Sequence, residues 1–254
     1  DESYAAREFA AQVAMDYNVV LSSKKELDDF AYGQMEIYLK ESEELEKQGI
    51  HRIRIKKPLT APDIKKAIHH YFNELGGKPM IVTIDHSWLV KKAPDEREKL
   101  QTLYNIADML IDVKRDLPVI VIILTQLNRT MEDVSRRTPG TIANYPSSSD
   151  IFGGDALMQG SDLVFAISRP FTLNIEDYGP EHYQASKENV FLHLLKLRNG
   201  ATDENIIFLH TDFKRQRMIE SAAPPTLQQQ PQTWTPRGPR TNRQTPSADV
   251  GQEL

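Results

Sequence analysis

Three short stretches carry side chains that could do chemistry on a phosphorylated ligand. The apolar run MIVTIDH (80–86) delivers one carboxylate, Asp85, at its C-terminal end. The run IILTQLNRT (122–130) ends by presenting Thr125 and Gln126. A hard cation held by one carboxylate plus substrate phosphates is the usual magnesium arrangement in nucleotide-hydrolysing sites, and a nearby Gln can bond a terminal phosphate or orient a water. An Asp that closes a strand is as often only the cap of the following loop, so the neighbouring Gln126 is what makes the pair a candidate site. The third stretch, HLLKLRNG (193–200), sets Lys196 and Arg198 on one strand face beside Asn199-Gly200, a pair suited to a positive-φ hairpin turn. By composition alone, two cations there read as a solvated face.

The elements that must position these groups are legible in the hydrophobic pattern. YAAREFAAQVAMDY (4–17) and KKELDDFAYGQMEIYLKESEELEKQ (24–48) have helical spacing, and HRIRIKK (51–57) alternates like a strand. A helix is expected over 59–77, with Thr60 as N-cap and Gly76-Gly77 as its stop. Then come a buried strand at 79–86, a helix over 95–116 between Pro94 and Pro118, and a strand at 119–125. Continuous apolar strands alternating with helices predict an α/β fold: a mostly parallel central sheet with helices on both faces. That topology places ligand sites at the C-terminal strand ends, where Asp85 and Gln126 lie. From DLVFAIS (162–168) onward the pattern turns antiparallel, through the 190–210 hairpin to a short strand at 216–219. Residues 221–254 are rich in Pro, Gln and Thr and are expected to form a disordered tail, leaving 1–220 as one domain. Trp234 among Arg237, Arg240 and Arg243 suits a solvated tail better than a nucleic-acid contact.

Composition narrows the functional classes. With no cysteine, disulfides, iron–sulfur clusters and thiolate zinc sites are excluded. The adjacent His69 and His70 point to different helix faces and do not make a metal pair. The longest apolar run, LPVIVIILT (117–125), is too short to span a bilayer, so no membrane partner is expected and a cytoplasmic location is, the host cytoplasm if the protein is phage-encoded. A formal charge of −5 argues against indiscriminate polyanion binding, although a few placed cations can still hold a nucleic acid.

Taken together, IVTIDHSWLV, VIVIILTQLNRTME, SDIFGGDALMQGSDLVFAISR and KLRNG occur in the order and spacing of the C-terminal ATPase domain of DnaB-type hexameric replicative helicases, and look closest to phage-like versions. The resemblance covers residues 1–220. It implies a RecA-like fold of the P-loop NTPase class, ATP and Mg2+ as cofactors, a homo-hexamer, and translocation on single-stranded DNA with duplex unwinding. A primase and a helicase loader are further candidate partners. Position by position, Asp85 matches the Walker B aspartate, the metal ligand. Gln126 matches the glutamine linking γ-phosphate state to DNA contact. Lys196 and Arg198 match the pair that reaches a neighbouring subunit's ATP, Arg198 as the arginine finger. Glu2 matches the glutamate that polarises the attacking water. Residues 150–160 match the channel loop that binds DNA, with Phe152, Gly153, Gly154 and Asp155 as its contacts. There the chain departs from the family: Phe152 and Gly153 stand in place of an Arg-Glu pair, Asp155 in place of a glycine, and His86 in place of an aromatic residue. Gly153, Gly154 and Gly160 either let backbone amides approach a phosphate or simply serve turns.

No G-x-x-x-x-G-K-[ST] loop occurs in the 254 residues, and GGKP (76–79) lacks both the first glycine and the hydroxyl residue. In the family that loop lies upstream of the region where this chain starts, so the sequence is expected to be a fragment that does not hydrolyse ATP by itself. Two other readings stay open. Another RecA-like ATPase, such as a recombinase or a circadian-clock-type regulator, would share the Asp85 and Gln126 strands but not KLRNG. A non-catalytic helicase relative would explain the missing loop but not the retained Asp85, Gln126 and Arg198.

Overall fold

The computed structural model describes residues 29–49, 55, 57–200 and 206–227. Glu2, the expected 4–17 helix, most of the expected 51–57 strand and the tail beyond 227 lie outside the described residues. Within them the order is α1 (Asp29–Lys47), α2 (Ala61–Glu74), β1 (Met80–Ile84), α3 (Lys99–Asp116), β2 (Val119–Ile123), a run of single 3₁₀ turns, α4 (Gly154–Gly160) and β3 (Leu163–Ser168). A two-residue ladder, β4 (Asp177–Tyr178) with β5 (Tyr183–Gln184), precedes β6 (Asn189–Leu197), β7 (Ile206–Asp212) and β8 (Arg217–Glu220).

The ends of α2 follow from its sequence. Thr60 and Asp63 form a reciprocal capping box, with Asp63 N donating to Thr60 Oγ1 and Thr60 N to Asp63 Oδ2. At the other end Gly77 N bonds Phe72 O and Gly76 N bonds Asn73 O, a Schellman closure with both glycines at positive φ. The GGKP sequence is therefore a helix stop. Helix α3 is the centre of the first core: its Leu103, Ile106 and Val113 are fully buried, packed with Ile68 of α2, Ala156 and Leu157 of α4, and Val82, Val121 and Ile123 of the strands. Each such side chain contributes about 1.5–3 kcal/mol of burial.

The sheet differs from the sequence expectation. β1 and β2 pair in parallel from Met80↔Val119 to Ile84↔Ile123, as a two-stranded sheet. β3 does not extend it. It joins a separate antiparallel sheet of order β3-β6-β7-β8. A mostly parallel central sheet with helices on both faces is thus corrected, among the described residues, to a parallel pair beside a larger antiparallel sheet. The local cause lies just past β2, where the chain bonds to residues 150–152 (Asn128 N to Asp150 O, 2.6 Å; Phe152 N to Gln126 O, 3.0 Å) and α4 intervenes before β3. One face of the pair packs on α2 and α3; on the other, Ile81 is 70% and Ile120 62% exposed. The strands are apolar on both faces, as a doubly covered sheet requires, and among the described residues helices cover one of them.

The hairpin β6–β7 keeps the predicted register. Asn189↔His210 through His193↔Ile206 centre it on Asn199-Gly200. Neither turn residue has positive φ, however, so the type I′ geometry read from the sequence is not adopted. Residues 221–227, assigned by composition to the disordered tail, are ordered: Gln184 N bonds Pro225 O, Leu227 N bonds His182 O, and Thr226 bridges Tyr183. Unpaired β5 backbone groups give this segment a ladder to join, which no composition rule detects.

Candidate functional site

Asp85 and Gln126 emerge at the same edge because β1 and β2 run parallel and in register. The ladder continues past the strands, Leu124 N donating to Ile84 O (3.0 Å) and Ser87 N to Leu124 O (2.8 Å). Ser87 Oγ then donates to Thr125 Oγ1 at 3.0 Å, tying the two strand ends together beneath the site. The Asp85–His86 peptide is cis. Asp85 and Gln126 are both exposed. Neither side chain makes a hydrogen bond among the described residues, so both remain available to a ligand. Beside them the buried His86 Nδ1 has no partner.

The donor set suits one kind of ion. A single carboxylate with a hydroxyl and a carboxamide nearby fits magnesium completed by phosphate oxygens and water. No group of three or more His, Asp or Glu that could enclose a metal occurs among the described residues, so a closed all-protein cage is not what this edge offers. A hollow of about 500 Å³ lies elsewhere, at the opposite strand ends, lined by Pro79, Met80, Ile81, Leu117 and Pro118. Its lining is mostly apolar, with Lys114 the one charged residue, and neither Asp85 nor Gln126 borders it.

Residues 152–155 sit against this edge. Phe152 N donates to Gln126 O, and the Phe152 ring meets Trp88 edge-on with centroids 4.9 Å apart. Gly153 adopts φ +66, and a Cβ there would fall 2.2 Å from Leu103 Cδ1 of the core. Its glycine is thus required by both conformation and packing. Gly154 opens α4, and Asp155 is exposed in the first turn. The base of this loop is held by a buried ion pair that the sequence reading missed. Arg136 Nη2 and Nη1 reach Asp150 Oδ2 and Oδ1 at 2.9 and 3.2 Å, and Asp150 also accepts from Ser147 N and Oγ, both 2.7 Å. Burial would raise the Asp150 carboxyl's pKa, but these donors outweigh it and hold the group below the ordinary carboxylate range.

Lys196 and Arg198 lie at the other end of α4. Lys196 Nζ donates to Met158 O and, at 3.4 Å, to Gln159 O; Arg198 Nη2 also reaches Gln159 O at 3.4 Å. Arg198 Nη1 pairs with Asp162 at 2.7 Å, and Arg198 N donates to Asp162 O at 2.8 Å. Asp162 additionally takes both oxygens to Lys114 Nζ, at 3.0 and 2.8 Å, while Lys114 bonds Gly160 O. The alternation argument is right that the two cations share a side, and here their partners are in this chain. Hydrogen bonding from Lys114, aided by Arg198 and Lys196, keeps the Asp162 carboxyl's pKa low. The signal available in the sequence was Asp162 next to Gly160 and Lys114 in the last turn of a helix, which has meaning only once α3 and α4 are packed.

The structure therefore brings Asp85, Thr125, Gln126 and Phe152 to one edge, and Lys196 and Arg198 to the far end of the seven-residue α4 that starts there. Comparison with known proteins gives these positions a frame. The family model for the DnaB-like helicase C-terminal domain matches residues 2–217. A solved DnaB-like replicative helicase, described with its interactions with primase, superposes with TM-score 0.67 at 19% identity, over 84% of this chain and 46% of that one. A solved ATPase domain gives TM-score 0.67 at 18% identity, over 85% of this chain and 69% of that one. The likeness shows that the chain shares the fold of these two structures. The chain spans about half the length of the first of these structures. No curated protein matches it.

Proposed function

The chain belongs to the family of DnaB-like helicase C-terminal domains, and from that premise we propose that it is motor-domain sequence of an ATP-dependent replicative DNA helicase, working in a six-membered ring on single-stranded DNA. The observation that carries this reading is the family match itself, whose span of residues 2–217 includes the Asp85 and Gln126 strand ends and the KLRNG hairpin. ATP with magnesium, when bound, supplies the phosphoryl transfer to water that drives translocation. In this reading Asp85 holds the metal, Gln126 contacts the terminal phosphate or its water, and Arg198 with Lys196 stabilises charge developing on a neighbouring subunit's nucleotide. Glu2 orients the attacking water, and Phe152, Gly153, Gly154 and Asp155 face DNA. A primase is a candidate partner, in keeping with the solved helicase described with its primase interactions.

These 254 residues contain no phosphate loop, so they are not expected to hydrolyse ATP alone. The same absence favours one second reading, a non-catalytic helicase relative. The two part in a single experiment. In rings of the intact protein that carries this domain, Arg198→Ala is expected to lower ATP turnover by a factor on the order of 1,000 and leave nucleotide binding unchanged, with the defect appearing in the adjacent subunit of mixed rings. Rings that bind no ATP would support the non-catalytic relative, and undiminished turnover in Arg198→Ala would remove the finger role.

A further inference from the structure

The pair proposed to act on a neighbour's nucleotide is not held by its own hairpin. Its side-chain hydrogen bonds go to α4 and to the second residue beyond it: Met158 O, Gln159 O and the Asp162 carboxylate. The first turn of the same helix follows directly on Phe152, whose amide is bonded to Gln126 O. Helix α4 is only seven residues long, roughly 10 Å. It is fixed laterally, because Ala156 and Leu157 are buried against α3 and a Cβ on Gly153 would strike Leu103. A short helix pinned at its side and bonded at both ends moves as one body.

We propose that Asp162 and the α4 carbonyls form the seat that positions Lys196 and Arg198, so that α4 transmits the state of the 152–155 loop to the cations serving the next subunit. This rests on the reading of Lys196 and Arg198 given above and adds a positioning residue, Asp162, and a direction of coupling to it. The arithmetic of donors is consistent. A guanidinium has five N–H donors; the seat uses two of its terminal nitrogens, and the Arg198 side chain stays 47% exposed, leaving an edge to meet a ligand from outside. A lysine in its place would have one point charge and no second edge.

Lys114 separates this idea from a merely structural one. It shares the Asp162 carboxylate and caps Gly160 O, but it comes from α3 and belongs to neither the loop nor the hairpin. The experiment is steady-state ATP turnover by the intact ring-forming protein, with and without single-stranded DNA, for Asp162→Asn, Asp162→Glu, Lys114→Met and Arg198→Ala, with melting curves confirming that each is folded. In Asp162→Asn the stimulation of turnover by DNA is expected to fall about tenfold, within the range of coupling through packed networks, with the nucleotide Kd unchanged. Asp162→Glu, which keeps the carboxylate, should recover most of it, and Lys114→Met should keep stimulation within about twofold of the parent. Equal losses in Asp162→Asn and Lys114→Met would make the cluster structural and overturn the proposal. Unchanged stimulation in Asp162→Asn, alongside lost turnover in Arg198→Ala, would overturn the seat and leave the finger standing. Full turnover in Arg198→Ala would overturn both.

Discussion

The parallel pair β1–β2 and the antiparallel sheet β3-β6-β7-β8 are built from similarly apolar strands, and both leave some apolar residues exposed, but they differ in what their buried side packs against. In the pair, alternate residues Ile81 and Ile120 face outward bare, and Asp85 and Gln126 stand exposed at the strand ends. The antiparallel sheet buries Phe191, Val190 and His193 almost completely, in an aromatic cluster with Tyr178, Tyr145 and Phe208. Its cations Lys196 and Arg198 are already engaged. The antiparallel sheet closes an aromatic core around β6 but leaves Phe165 and Ile167 of β3 and Met218 and Ile219 of β8 exposed. A parallel strand needs a crossover, and its second face needs another layer. The groups assigned to nucleotide chemistry sit at the ends of the parallel pair, and those assigned to act on a neighbour sit on the antiparallel sheet.

The contrast breaks most readily by truncating one residue from each sheet. Phe191→Ala removes a fully buried ring in contact with Tyr178 and Phe208 and is expected to cost about 4 kcal/mol of stability. Ile120→Ala, of a side chain 62% exposed, should cost less than about 0.5 kcal/mol. Urea unfolding monitored by tyrosine fluorescence compares them directly. Comparable losses would mean that the bare face is covered in solution and that the two sheets are equally complete.

The loop between the sheets gives the next largest effect. Asp150→Asn removes the charge from a carboxylate that is 5% exposed and leaves the Arg136 guanidinium partly buried without its partner. The expected loss is about 3 kcal/mol, with faster hydrogen exchange confined to residues 147–155. A loss spread evenly over both sheets would show that this ion pair holds the whole fold and not the loop.

How much of this was legible in the sequence varied with how local the information was. The Thr60 capping box and the Gly76-Gly77 stop are short-range, and both appear where the residue types put them. The β6–β7 register was equally readable, since alternation and the Asn199-Gly200 position fix it together, although the turn's own geometry was not. The edge carrying Asp85 and Gln126 followed from two apolar runs that each end in polar groups. What stayed hidden was non-local. Whether β3 would continue the parallel pair or join β6 depends on bonds between residues 126–128 and 150–152, too far apart in sequence for any pattern to show. Asp162 with Lys114 and Arg198, and Arg136 with Asp150, are charge pairs separated by 14 to 48 residues, invisible until the helices pack.

The smallest effect tests whether the antiparallel core is as dry as its burial implies. His193 is 1% exposed, and desolvation pushes its pKa down from 6.5 to about 4. Its Nε2 shares a hydrogen bond of 2.8 Å with Tyr178 Oη, and burial pushes the Tyr178 phenol up, so both rings are neutral. The sign follows from linkage. Between pH 6.5 and 4 the unfolded chain holds a proton on this histidine that the folded chain refuses, so stability is full above about pH 6.5 and falls as pH drops toward 4. Between pH 7 and pH 5 the loss from this one group is about 2 kcal/mol. Measured as the difference in urea midpoint, it should largely vanish in His193→Gln, which keeps a hydrogen-bond partner for Tyr178 and cannot be protonated. A pH dependence that survives His193→Gln unchanged would mean that water reaches the ring, and the aromatic core around it would then not be dry.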